Sequence, residues 1–194
     1  MDLRNFLFQY RSFTPIPIVV VVLYNSNPVY PLYLFGGGLL FLGELIRIYA
    51  VSYAGGITRT TKVGAPSLCT SGPYALTRNP LYFGNMIIFS GVTIITGGIY
   101  VWEMFLFVFI FFTFQYGMII SLEEETLVNL FGEDYYNYKN NVPRLFPRLQ
   151  PWKSSDNRSP TPIIKTLKTE KRTLQNIVLI LCSIIARDYF GAFS

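Results

Sequence analysis

LYFGNMIIFSGVTIITGGIYVWEMFLFVFIFFTFQYGMIIS, residues 81–121, decides the fold. It holds two apolar runs, about 81–98 and about 100–121, separated only by the short break Thr96-Gly97-Gly98. Both runs approach the roughly 20 residues needed to cross the hydrocarbon core of a bilayer, so together they predict a transmembrane helical hairpin. Toward the N-terminus a third run covers about 31–53 and a fourth about 13–25. The run at 13–25 is marginal in length. Pro15 and Pro17 start or kink it, and inclusion of residues 6–13 brings it to spanning size. Toward the C-terminus the apolar run 174–186 is short for a span and is expected to form an interfacial or docked helix.

Composition agrees with a small integral membrane protein. Of 194 residues, 51% are hydrophobic, 17% aromatic and only 14% charged, with a mean hydropathy of +0.36. That balance lies outside the range of soluble domains. The absence of any His removes the usual zinc ligand and the usual neutral-pH base, so no metal site is expected. Cys69 and Cys182 lie far apart without CxxC spacing and read as small apolar residues. The N-terminus lacks the pattern of a cleaved signal peptide.

The breaks at 25–28 and 96–98 carry no Lys or Arg, whereas Arg4, Arg11, Arg47, Arg59, Lys62, Arg78 and all later basic residues fall on the other side if each run spans. The positive-inside rule then places both termini and the region after residue 121 in the cytoplasm. Tyr100 and Trp102, at the far end, read as interfacial anchors. The net charge of +5 is explained by this anchoring to anionic lipid, so nucleic acid is not an expected partner. The expected fold is all-α: an integral membrane bundle of four to five transmembrane helices with a small cytoplasmic helical cap. Its divisions are N-terminal transmembrane helices (1–55), a core of hairpin and cap (56–150), a polar linker (151–172) and a C-terminal apolar helix (173–194).

Two polar clusters flank the hairpin. The first is residues 72–85, GPYALTRNPLYFGN, where Pro80 suits the first helical turn and Asn79 is placed to cap it. The positive helix end with Arg78 alongside favours an anion. Tyr82, Asn85 and Phe89 share a face, and Gly84 offers bare backbone for a ligand to approach. The second cluster is Glu123, Glu124 and Glu125, followed by Phe131-Gly132 and Tyr135, Tyr136 and Tyr138, then Val142-Pro143-Arg144. Three carboxylates at the C-terminal end of an apolar helix oppose the helix dipole, so Arg78, Arg144, Arg148 or a cationic ligand should compensate them. The tyrosines beside them could hold an organic cation. Glu44 and Arg47, three apart, are expected to pair near the same interface, and Gln115 to make an interhelical hydrogen bond. Glycines recurring seven apart, Gly36 and Gly43 and then Gly84, Gly91 and Gly98, predict close helix packing.

The two clusters together resemble the integral membrane methyltransferases typified by isoprenylcysteine carboxyl methyltransferases and phosphatidylethanolamine N-methyltransferases. The likeness runs over about residues 70–150. It is carried by Gly72-Pro73-Tyr74, Arg78-Asn79-Pro80-Leu81-Tyr82-Phe83-Gly84-Asn85, Glu123-Glu124, Phe131-Gly132, Tyr135, Tyr138 and Val142-Pro143-Arg144. The resemblance implies S-adenosylmethionine as cofactor and a lipid-like or prenylated acceptor entering from the bilayer. It further implies cofactor contacts from Arg78, Asn79, Pro80, Leu81, Tyr82, Gly84, Asn85, Glu124 and Tyr135, with Glu123, Glu124 and Arg144 in catalytic roles. Asn79 stands where many members carry His, and the tail beyond about Arg148 extends past the usual family end. Methyl transfer needs alignment and exclusion of water more than a strong base. Two competing readings are a sterol-type reductase using NADPH and a non-catalytic scaffold or transport subunit. The first lacks a basic cluster for a 2′-phosphate; the second predicts polar residues through the bilayer rather than gathered at one face.

Overall fold

The Asp2 carboxylate accepts the Arg4 amide at 3.1 Å, which caps α1 (Leu3–Gln9). The computed structural model describes residues 2–55 and 63–191; Arg59 and Lys62 lie outside the described residues. After a turn, Pro15 opens α2 (Pro15–Tyr24) from its first position, where a missing N–H costs nothing. There follow α3 (Leu32–Ala54), a single 3-10 turn (Gly72–Ala75), α4 (Pro80–Thr96), α5 (Val101–Phe131), α6 (Glu133–Asn141) and α7 (Ile163–Gly191). Among the described residues there is no strand. The protein is a membrane helical bundle in which α3, α5 and α7 are each long and apolar enough to cross a bilayer, while α2 and α4 are shorter apolar helices.

α1 and α2 together make one broken traverse. Arg4 pairs with Glu125 at the end of the bundle that carries α6, the cap end. At the opposite end the Asn27 amide donates to the Thr96 carbonyl at 2.7 Å, and Gly98 donates back to Asn27 at 3.1 Å. Gly97 and Gly98 both have positive φ, the left-handed backbone that lets α4 turn sharply into α5. Phe8, Ile18 and Val22 pack on Val108, Phe112, Tyr116 and Ile119 of α5 to form the main core. Within it Gln115 donates to the Thr14 hydroxyl at 2.8 Å, the interhelical bond expected of it.

The C-terminal region departs from expectation in its helical extent. α7 begins at Ile163, inside the stretch expected to be linker, and runs for 29 residues. The Thr161 amide fixes its start to the Ser52 carbonyl at the end of α3, 2.7 Å away. Further along, Ile177 packs on Ile88 and Val92 of α4. α7 therefore runs beside α4 away from the cap, and from Glu170 to Gly191 a rise of about 1.5 Å per residue carries it roughly 30 Å. The start of α1 lies at the cap end of the bundle, and α7 leads away from that end. The polar first turns of α7 hide its full length in the sequence: Thr166 and Glu170 are buried against the bundle and lower the helix's hydropathy.

Residues 151–162 are also anchored. The Thr70 amide donates to Asp156 at 2.9 Å, the Ser71 hydroxyl to the Asp156 carbonyl at 2.7 Å, and Arg158 to the Leu68 carbonyl at 2.7 Å. Burial alone would raise the Asp156 carboxyl, but the Thr70 amide, the Ser71 hydroxyl and the Arg158 charge outweigh it and hold the group below its usual range. A depressed folded pKa contributes stability that is present above the unfolded value, about 3.9, and is lost as pH falls through the folded value. Thermal melts in nanodiscs should show Asp156→Asn less stable than wild type at pH 7, with the gap closing below about pH 4. A gap that stays constant down to pH 3 would contradict this assignment.

Candidate functional site

The start of α4 is laced to the chain that follows α6. The Arg78 amide donates to the Pro143 carbonyl, the Arg148 amide to Leu76 and the Trp152 amide to Ala75, each at 2.9 Å. The Thr77 hydroxyl adds a bond to the Leu145 carbonyl at 2.9 Å. Asn79 makes no side-chain cap; its amide nitrogen instead donates to the Arg144 carbonyl at 2.8 Å. The expected capping role is lost because the neighbouring segment presents an acceptor that water would otherwise have to satisfy.

This lacing brings the two sequence clusters together. Arg78 Nη2 lies 2.7 Å from Glu124 Oε1, while Arg78 Nη1 donates to the Val142 and Lys139 carbonyls at 2.7 and 2.8 Å. Arg144 reaches the same carboxylate at 3.3 Å and Lys139 at 3.9 Å. The three consecutive carboxylates diverge because each helical residue turns about 100° from the last. Glu124 meets the cations, Glu125 meets Arg4, and Glu123 turns inward to accept the Tyr82 hydroxyl at 2.9 Å. The compensation expected for the acidic run thus comes from Arg78 and Arg144, whereas Arg148 donates to the Asn141 carbonyl. Around Tyr82 the surface is aromatic: its ring lies 4.8 Å from Tyr116, and Phe89 stacks on Phe112 at 4.1 Å.

The cap is a small core of its own. Tyr135, Tyr138 and Val142 are buried together, and the Tyr138 hydroxyl donates to the Tyr74 carbonyl at 2.7 Å. Burial pushes the hydroxyls of Tyr135 and Tyr138 well above the usual phenol range, so both stay neutral. Tyr135 is therefore a cap core residue, and Tyr136 is the tyrosine that faces the open side.

Other expected residues lie elsewhere. Pro80 is buried at the α4 start and Leu81 half-buried beside it. The bare side of Gly84 faces α3, where an added Cβ would come 2.7 Å from Arg47 Cγ and 3.0 Å from the Gly43 carbonyl; that face is helix packing, closed to a ligand. Asn85 accepts from Arg47 Nη1 at 2.6 Å. Arg47 also approaches Glu44 at 3.8 Å, the expected pair, and Glu170 at 2.7 Å. Lys139 and Glu170 carry charges into these networks and were not among the residues expected there. For Glu170 the signal is the spacing of Thr166, Glu170, Ile177 and Ile184, four and then seven apart, which is one buried helix face.

A cleft of about 480 Å³ opens beside Glu124, lined by Ser121, Asn129, Tyr136, Lys139 and Arg144. That volume falls within the roughly 300–1,000 Å³ usual for small-molecule sites. Two cations, Lys139 and Arg144, stand at its wall and favour an anionic group, while the carboxylates of Glu124 and Glu125 can receive an ammonium. An amino-acid end, carrying one charge of each sign, fits such a donor set.

Residues 32–134 match the family model described as phospholipid methyltransferase. The chain belongs to the phospholipid methyltransferase family. The first cluster and Glu123, Glu124 and Glu125 lie in this matched segment, whereas Arg144 and α6 beyond Asp134 lie outside it. Among curated relatives, methanethiol S-methyltransferase of Pseudomonas deceptionensis is 32% identical over 61% of this chain and 45% of its own length. Cobalt-zinc-cadmium resistance protein CzcN of Cupriavidus metallidurans is 30% identical over 76% of this chain and 68% of its own. Methanethiol S-methyltransferase 2 of Bradyrhizobium diazoefficiens is 30% identical over 54% and 39%. The chain thus spans less than half the length of these two methanethiol methyltransferases. No solved structure matches.

Proposed function

We propose that the protein is an S-adenosylmethionine-dependent methyltransferase, acting at the cap end of the bundle on a lipid-like or prenylated acceptor drawn from the bilayer. The observation that carries this reading is the convergence of Arg78, Arg144 and Lys139 on Glu124 at the mouth of α4 and α5, beside an open cleft, in a chain of this family. S-adenosylmethionine, when bound, supplies an electrophilic methyl group on a sulfonium.

The protein's part is binding, orientation and exclusion of water. Arg144 is 44% exposed and Lys139 41%, so both can turn toward an anionic group, a cofactor carboxylate or an acceptor phosphate. Arg78 is 8% exposed with all three guanidinium nitrogens engaged, and its role is to hold Glu124 and the cap in place. Glu124 receives an ammonium, and Tyr136 offers a flat face to a base. Glu123 and the Tyr82 hydroxyl, inside the bundle, form a proton-holding pair for an acceptor whose nucleophile carries a proton. Amines and thiols are such acceptors, and two relatives are named for a thiol. A carboxylate would need no such help.

Isothermal titration of S-adenosylmethionine into the protein in nanodiscs should show one site with a Kd in the micromolar range, around −8 kcal/mol. Wild-type protein giving no heat and no protection would remove the reading. Methyl-labelled cofactor followed by mass spectrometry of the lipid and thiol fractions identifies the acceptor.

A further inference from the structure

We infer that Glu170 of α7 is a positioning residue for the transfer site, acting through Arg47 and Asn85 on the α4 face that carries Tyr82. The inference rests on the methyl-transfer reading and adds a helix outside the family-matched segment 32–134. Glu170 is fully buried and lies 2.7 Å from Arg47 Nη2, which also donates to the Thr173 hydroxyl at 3.3 Å. The other nitrogen, Nη1, donates to Asn85 at 2.6 Å. One guanidinium therefore joins α3, α4 and α7, and its fork fixes direction as well as distance.

The stem of Arg47 adds a second constraint. It lies so close over Gly84 that a Cβ there would come within 2.7 Å of Arg47 Cγ. The side chain cannot swing without pressing on the first turns of α4. Asn85 lies three residues after Tyr82 on the same face, and Tyr82 is bonded to Glu123. Taking Glu170 away releases Nη2 to seek Glu44, now 3.8 Å from Nε, and the fork rotates off Asn85. The register of Tyr82 against Glu123 then loosens, whereas the cleft at Glu124, on the other side of the α4 start, keeps its own contacts.

The test measures methyl transfer from S-adenosylmethionine to butanethiol and to phosphatidylethanolamine in nanodiscs, together with cofactor titration and melting. Glu170→Ala should lower kcat by about ten-fold or more, as small misplacements do, with cofactor Kd within about threefold of wild type. Glu170→Gln retains an acceptor at the same reach and should restore kcat to within about threefold. Ile177→Ala, which thins α7 packing on Ile88 and Val92 without touching Arg47, should lower the Tm while leaving kcat intact. If Glu170→Ala does not fold, Glu170→Asp, which withdraws the carboxylate by one methylene, carries the same expectation. Wild-type kcat in Glu170→Ala or Glu170→Asp overturns the role, as does equal loss in Ile177→Ala or a Gln variant no better than Ala. Wild-type protein that binds no cofactor, or methylates neither probe, instead overturns the methyl-transfer reading and the positioning role with it.

Discussion

Glu124→Gln should abolish measurable cofactor binding and lower the melting temperature by about 10 °C, the latter from the loss of one buried charge partner. Glu124 is 7% exposed and stands 2.7 Å from an Arg78 guanidinium that is itself buried. Removing one member of such a pair strands the other, at about 3–5 kcal/mol. The contacts from Lys139 and Arg144 add little to this, because both cations are nearly half exposed and water screens them to about 1 kcal/mol or less each. The functional loss is larger than the stability loss. Neutral Gln neither attracts an ammonium nor holds Arg78, whose other nitrogens pin the Val142 and Lys139 carbonyls and so fix the entry to Arg144. A fall of more than about 100-fold in cofactor affinity corresponds to about 2.7 kcal/mol, within reach of one charge-assisted pair. Arg78→Lys separates the two contributions: it keeps the charge, loses the fork, and should retain more affinity than Glu124→Gln while still unpinning the cap. A Glu124→Gln protein with wild-type melting and binding would show that the cluster neither supports the cap nor meets the ligand.

The meeting of Arg78 with Glu124 was legible in the sequence because both sit at ends of apolar runs long enough to fix their depth. The same depth reasoning anticipated the Glu44–Arg47 pair and the Gln115 bond, where a lone polar group in apolar surroundings must find a partner. What depth cannot supply is rotation about the helix axis. Gly84 therefore looked like an open approach for a ligand although its bare side meets α3. Asn79 illustrates a different limit: its capping preference is local, and the Arg144 carbonyl that wins its amide arrives from 65 residues away. Glu170 was hidden among lysines and threonines, where hydropathy cannot distinguish a solvated charge from one folded against a buried guanidinium.

Gly43→Val should be strongly disruptive in the membrane-embedded part of the bundle. Gly36 and Gly43 on α3 oppose Gly91 and Gly84 on α4 in antiparallel register. A Cβ at Gly36 would come 2.6 Å from the Gly91 carbonyl, and one at Gly43 would come 2.8 Å from the Gly84 carbonyl and 2.9 Å from the Ile88 nitrogen. Carbon contacts are most favourable at about 3.5–4.0 Å, so the helices would have to part by close to 1 Å along the seam. The obstructing atoms are largely backbone, which cannot rotate aside. Inside a bilayer no hydrophobic gain compensates, because lipid solvates the parted surfaces as well as helix does. Overpacking of this kind costs about 1–3 kcal/mol or more, and the branched side chain adds to it. The displacement also lifts α4 off Arg47, so transfer activity should fall further than the folded fraction does. Gly37 and Gly38 provide the contrast on the same helix: nothing lies within 4 Å of a Cβ at either, and alanine there should be neutral or up to about 1 kcal/mol stabilising. Denaturant titration of Gly43→Ala beside Gly37→Ala decides the matter. Equal stability of the two would mean that α3 and α4 are not held together at this seam.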